Sequence, residues 1–158
     1  MFRVFFDMDG TLAEWKAAKE PEDLYEKDYF LSLKPYQSVV EAAWKLYESG
    51  EAEVFILSAV LADSRYAIPE KNAWLGEYLP WVDIDHRLYV EGSVPKRLRV
   101  PGGVRMTDVL VDDYTKNLKE WPVFGYCRCD SESRAAESYL TSWRRRGIFY
   151  LKRFLCLV

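Results

Sequence analysis

The chain's 158 residues, 49% hydrophobic and 30% charged, amount to one globular domain and exclude a disordered or collagen-like protein. A formal net charge of −3 gives no overall drive toward nucleic acid, and a single histidine, His86, leaves any chemistry to carboxylates. No apolar run approaches the roughly 18 to 20 residues of a membrane-spanning helix, and Met1–Phe6 is too short for a signal peptide, so a cytoplasmic protein away from membranes is expected.

Phe2-Arg3-Val4-Phe5-Phe6 is a short β-rich run that ends in Asp7-Met8-Asp9-Gly10-Thr11, which reads as a buried strand and its polar exit loop. The next stretch is charged and aromatic, with Pro21 opening a short helix. Apolar residues at Val39, Val40, Ala43, Leu46 and Tyr47 predict an amphipathic helix over 36–49, stopped by Gly50. Glu53–Leu57 reads as a second buried strand ending at Ser58. Pro69 opens a helix running to about Leu79, and Pro80 closes it. Arg87–Val90 and Asp108–Val111 are the third and fourth strands, the latter ending in Asp112-Asp113. A helix over Thr115–Trp121 and a fifth strand over Val123–Tyr126 follow. Strands alternating with helices predict an α/β fold, a three-layer Rossmann-like parallel sheet.

Beyond Gly125 the composition changes. Residues 1–124 carry a net charge of −7 and residues 125–158 one of +4. That segment holds all three cysteines (Cys127, Cys129, Cys156), an odd number that argues against a disulfide framework. The run Arg144-Arg145-Arg146 suits a basic arm for an anionic partner, but a solvated helix face is the favoured reading. A helix over Glu132–Trp143 could pack on the core, and the apolar end Phe154–Val158 could bury there or at a homodimer contact. The expected organisation is a core over 1–124, with a short insert at about 13–34, and a divergent basic segment over 125–158.

Ligands of an open parallel sheet bind beyond the carboxyl ends of its strands. Three predicted strands end there in polar residues: Asp7-x-Asp9, Ser58, and Asp112-Asp113. Four carboxylates at neighbouring strand ends repel unless a cation lies between them. Hard oxygen donors suit Mg²⁺, which takes one or two carboxylates together with water and phosphate oxygens. A carboxylate nucleophile beside Mg²⁺ points to chemistry through an aspartyl-phosphate.

Asp7-Met8-Asp9-Gly10-Thr11-Leu12 after an apolar strand resembles the first motif of the haloacid-dehalogenase-like (HAD) phosphatase superfamily. Ile56-Leu57-Ser58-Ala59, Glu70-Lys71-Asn72-Ala73-Trp74-Leu75 and Val109-Leu110-Val111-Asp112-Asp113-Tyr114-Thr115-Lys116-Asn117 follow in the same order. Within the superfamily these segments look most like the 5′(3′)-deoxyribonucleotidase family, over residues 1 to about 122. The resemblance implies a Mg²⁺-dependent phosphomonoesterase acting on a small phosphorylated substrate, a (deoxy)nucleoside monophosphate. Asp7 would attack phosphorus. Asp9 would protonate the leaving oxygen and then deprotonate water. The metal would be held by Asp7, the backbone carbonyl of Asp9, and Asp112, with Asp113 acting through a bound water. Ser58, Ala59, Thr11 and Lys71 would bind phosphate, with Lys96 ranked second for the lysine role as a substrate contact. Asn117 would brace the acidic loop.

The insert between the first motif and the second strand is small. Its aromatic residues, Tyr29 and Phe30 among them, suit two roles equally: stacking on a nucleobase or packing beneath the insert. Two alternatives to a nucleotidase stand beside it. One is a phosphatase of the same superfamily for another phosphoester. The other is a non-catalytic module binding phosphate or nucleic acid, which has no need of a repulsive carboxylate cluster.

Overall fold

The computed structural model describes residues 1–18 and 20–126. The cysteines, the arginine run and the expected helix over Glu132–Trp143 lie outside the described residues. Five parallel strands form one sheet: β1 (Phe2–Phe6), β2 (Ala52–Val60), β3 (Arg87–Glu91), β4 (Val109–Val111) and β5 (Phe124–Tyr126). Their order is β3-β2-β1-β4-β5. The chain builds outward from β1 in one direction through β2 and β3. It then returns to the other side of β1 for β4 and β5. The switch point therefore lies between the carboxyl ends of β1 and β4, where an open α/β sheet offers its crevice.

Strand alternation sorts the core into two layers. Val4, Phe6, Val54, Ile56, Val109 and Val111 face a cluster completed by helices α1 (Gln37–Glu48) and α2 (Ala67–Tyr78). Phe5, Phe55, Leu57 and Leu110 point the other way, onto Val100 and Trp121. Trp121 directly follows α3 (Thr115–Glu120). With both faces covered, these strands read as continuous apolar runs, as buried parallel strands should. Helix α1 buries Val39, Val40, Ala43 and Leu46 as its spacing predicts, but Tyr47 lies outside that stripe. Its ring packs at 4.5 Å between centroids on Trp81 at the domain surface.

Two segments depart from the sequence expectation in ways that matter for the site. Strand β2 continues two residues beyond Ser58, which pairs with Tyr89 inside the sheet. Residues 96–99 form a 3₁₀ turn that brings Lys96 into the interior. Arg3 anchors the chain beyond this turn. Its guanidinium bonds to the buried Asp108 carboxylate and donates to the carbonyls of Pro101 and Gly103, each at 2.8 Å. Among the described residues, no helix is long and apolar enough to cross a membrane.

Candidate active site

Strand alternation decides which side chains meet at the switch point. Asp7 continues β1, its amide donating to the Val111 carbonyl at 2.8 Å. Since Phe6 and Val111 face the α1 layer, the following residues Asp7 and Asp112 turn toward the opposite layer, where the 96–99 turn lies. Lys96 reaches between them, its Nζ 2.5 Å from Asp7 Oδ1 and 2.7 Å from Asp112 Oδ2. Burial works against this ammonium, but Asp7 and Asp112 outweigh it and push the Lys96 pKa up. Asp112 is braced further: the Tyr114 amide donates to Oδ1 at 2.8 Å and Asn117 Nδ2 to Oδ2 at 2.9 Å.

Asp113 completes the acidic group. Asp7, Asp112 and Asp113 each offer an oxygen, all within 4.8 Å of one another. Burial pushes the Asp113 carboxyl up to about 6, with the charges of Asp7 and Asp112 adding to it. Burial, then Asp7, raise Asp112 against the opposing pull of Lys96. Three hard oxygen donors facing one ammonium leave an excess of negative charge, which is the donor set and charge that Mg²⁺ fits. Gly10 allows the close approach. It has φ +80°, and a Cβ there would stand 2.2 Å from Asp113 Oδ2. Thr11 ties the two loops together, its Oγ1 accepting from the Asp113 amide at 3.1 Å.

Asp9 stands apart from that group, on the α2 side. Its carboxylate pairs with Lys71, whose Nζ also donates to Ser58 Oγ at 2.8 Å and to the Ala59 carbonyl at 2.7 Å. Ser58 follows Leu57 and so turns to the α2 layer, where it meets this lysine. Burial raises the Asp9 pKa, and Lys71 opposes the rise. Its Oδ1 is buried and has no hydrogen-bond partner among the described residues. Each lysine thus has its own acid: Lys71 serves Asp9, and Lys96 joins Asp7 to Asp112.

Of the insert aromatics, Tyr29 and Phe30 pack, whereas Trp15 and Tyr25 stay exposed. Tyr29 and Phe30 are both buried in the α1-side core, with Tyr29 donating its hydroxyl to the Lys16 carbonyl. Phe30 lies under Lys71, the Nζ 4.5 Å from the ring centroid. Each ring is 6% exposed, so of the two roles expected of them the structure shows packing. Glu70, a motif residue to which the sequence assigned no role, is buried and accepts hydrogen bonds from the amides of Asp28 and Phe30.

Residues 22–148 match the family described as 5′ nucleotidase, deoxy (Pyrimidine), cytosolic type C protein. No curated protein matches the chain. A solved chain titled "Structure of the Pnkp1/Rnl/Hen1 RNA repair complex" shares the fold with a TM-score of 0.55 at 17% identity. The likeness covers 82% of this chain and 43% of that one, so the chain spans less than half of the solved chain's length. The family match takes in most of the sequence, including the second strand, α2, the Lys96 turn and the acidic loop, and the chain belongs to this 5′-deoxynucleotidase family of HAD-like phosphatases.

Proposed function

We propose that the chain is a Mg²⁺-dependent phosphomonoesterase that dephosphorylates (deoxy)nucleoside monophosphates through a phosphoryl group carried on Asp7. The observation that carries this reading is the separation of two carboxylates two residues apart. Asp7 lies with Lys96, Asp112 and Asp113, whereas Asp9 is held away from them by Lys71. One chain position is thereby equipped as nucleophile and the other as proton carrier.

Asp7, Asp112 and Asp113, with the Asp9 carbonyl, would hold the ion, which supplies charge neutralisation of the phosphoryl oxygens when bound. Asp7 attacks phosphorus as the ester P–O bond breaks, and Asp9 gives its proton to the departing oxygen. Asp9 then takes a proton from the water that attacks the phosphoryl group, releasing phosphate and restoring Asp7. Lys71 and Ser58 bind phosphate oxygens beside Asp9, with the Ala59 backbone and Thr11 lining the pocket. Lys96 holds and aims the Asp7 carboxylate. A second reading, a phosphatase for another small phosphoester, draws support from the burial of Tyr29 and Phe30, which takes these two rings out of reach of a base.

Phosphate release by the purified chain with Mg²⁺ and a panel of 5′- and 3′-(deoxy)nucleotides tests the proposal. Sugar phosphates and p-nitrophenyl phosphate complete the panel. Nucleotides should lead by at least about tenfold in kcat/KM, and Asp7→Asn should be inactive. Asp9→Asn should lose about 10² to 10⁴ on nucleotides and far less on p-nitrophenyl phosphate, whose leaving group needs little protonation. Release no greater than that of Asp7→Asn on every substrate would refute the enzyme reading. Equal losses in Asp9→Asn on both substrate types would remove Asp9 from the acid role.

A further inference from the structure

The geometry points to Glu70 as a positioning residue that fixes the phosphate-side lysine, Lys71, and through it Asp9, by clamping the insert segment 28–33 to α2. The inference deepens the reading above and rests on it for its kinetic part.

Glu70 and Lys71 are neighbours in the first turns of α2, so their side chains leave the helix roughly 100° apart. Lys71 points to Asp9, Ser58 and Ala59. Glu70 points to the insert, where Oε1 accepts from the Asp28 amide at 2.6 Å and Oε2 from the Phe30 amide at 3.1 Å. Trp74, one turn further on the same face, donates Nε1 to the Leu33 carbonyl at 2.8 Å. Three side-chain bonds from one helix face therefore hold the backbone of a loop that has no sheet or helix of its own. Asp28 adopts φ +66°, a left-handed conformation that a side chain makes costly, and the Glu70 bond falls on its amide.

The consequence reaches the site through Phe30. Its amide is held by Glu70, and its ring lies under the Lys71 ammonium at 4.5 Å. Lys71 is fully buried, and its ammonium is surrounded by Asp9, two oxygen acceptors and this ring face. Glu70 thus holds both walls around the lysine: the helix that carries it and the ring that backs it. A carboxylate suits this task because both of its oxygens accept. Glutamine offers one acceptor and sets an NH₂ group against the second amide, so the two bonds cannot both persist.

The test uses the full chain carrying Glu70→Gln, beside Phe30→Leu, which leaves both amide bonds in place. The first readout needs no activity: in the parent protein the Lys71 ε-methylene protons should be shifted upfield by the Phe30 face. Glu70→Gln should move them toward their unperturbed position and speed amide exchange at Asp28 and Phe30. The second readout is the ratio of kcat on a nucleotide to kcat on p-nitrophenyl phosphate, which should fall about tenfold as Asp9 loses its aim. A merely structural role would lower both rates alike. The double variant should lose no more than the worse single one, since both act through the same contact. An unchanged Lys71 shift in Glu70→Gln, or equal losses on the two substrates, would overturn the inference. Should Glu70→Gln fail to fold, amide exchange in the parent protein decides: Asp28 and Phe30 amides that exchange as fast as exposed loop amides would overturn it. A parent protein inactive on all phosphoesters would sink the enzymatic reading, while the Lys71 shift would still judge the clamp.

Discussion

Lys96→Met removes one buried charge from between two others, and its cost can be worked from distances. Asp7, Asp112 and Lys96 are each at most 6% exposed. The carboxylate oxygens of Asp7 and Asp112 lie within 4.8 Å. At an effective dielectric of about 20, two unit charges at that separation repel by roughly 3.5 kcal/mol. Without the Lys96 ammonium that repulsion stands unopposed in a buried site. The measured loss for removing one member of a buried pair runs at about 3–5 kcal/mol, a large part of the 5–15 kcal/mol that stabilises an ordinary domain. Denaturant unfolding in chelator should therefore show Lys96→Met losing several kcal/mol. Added Mg²⁺ should recover much of this, because a cation among Asp7, Asp112 and Asp113 relieves the same repulsion. Phosphatase turnover should still fall by about 10² to 10³, the scale for losing one preorganised electrostatic donor. A variant as stable as the parent in chelator, or a deficit that Mg²⁺ leaves untouched, would refute this account of how the cluster is held.

Gly10→Ala should cost about 1–2 kcal/mol for its left-handed backbone alone. The new Cβ would also drive Asp113 out of its position, 2.2 Å away, so calorimetry should show weakened Mg²⁺ binding, and unchanged affinity would refute the close-approach argument. Asp113 gives a pH signature in the metal-free chain. Its folded pKa of about 6 exceeds the ordinary 3.8, so the folded state binds the extra proton, and stability from this group is present below pH 4 and lost as pH rises through 6. Asp113→Asn should thus raise the unfolding midpoint over the parent at pH 7 and converge with it at pH 4. The gap should close or reverse once Mg²⁺ is added, and a pH-independent difference would contradict the assignment.

The strands were legible because each is a run of apolar, β-branched or aromatic residues bounded by a polar loop, and β1, β3 and β4 fall within a residue of their expected bounds. The carboxylates were legible for the same reason, since a strand end in a parallel sheet has a known direction and Asp7, Asp9, Asp112 and Asp113 follow such ends. The extent of β2 was not. Ser58 looks like a terminator by residue type, yet its neighbours Ala59 and Val60 pair with Val90 and Glu91, and only the partner strand reveals that. The placement of Tyr29 and Phe30 also escaped the sequence, because aromatic residues in a short insert carry the same signal whether they pack or face solvent. Glu70 opens the motif that carries Lys71, but nothing in the sequence pointed to its role. Its partners are backbone amides of a loop, and no side-chain identity at 28 or 30 announces them.

The division of the lysines had a signal that strand parity could have supplied. In a strand successive side chains alternate between faces, so Phe6 toward α1 places Asp7 toward the other layer, and Val111 does the same for Asp112. Helix α2 packs on the α1 side, through Trp74 and Leu75. A lysine on α2 must therefore reach the crevice from the side that Asp7 and Asp112 face away from, and it finds Ser58, whose parity is opposite to theirs. The turn carrying Lys96 leads to Val100 in the other layer and delivers its ammonium from beneath. Asp9 lies beyond the end of β1, outside the alternation, and so is free to turn toward Lys71. Asp7 and Asp9 thus meet lysines delivered from opposite layers of the core. The single residue between them, Met8, is fully buried in the α1-side core and takes the turn that separates them.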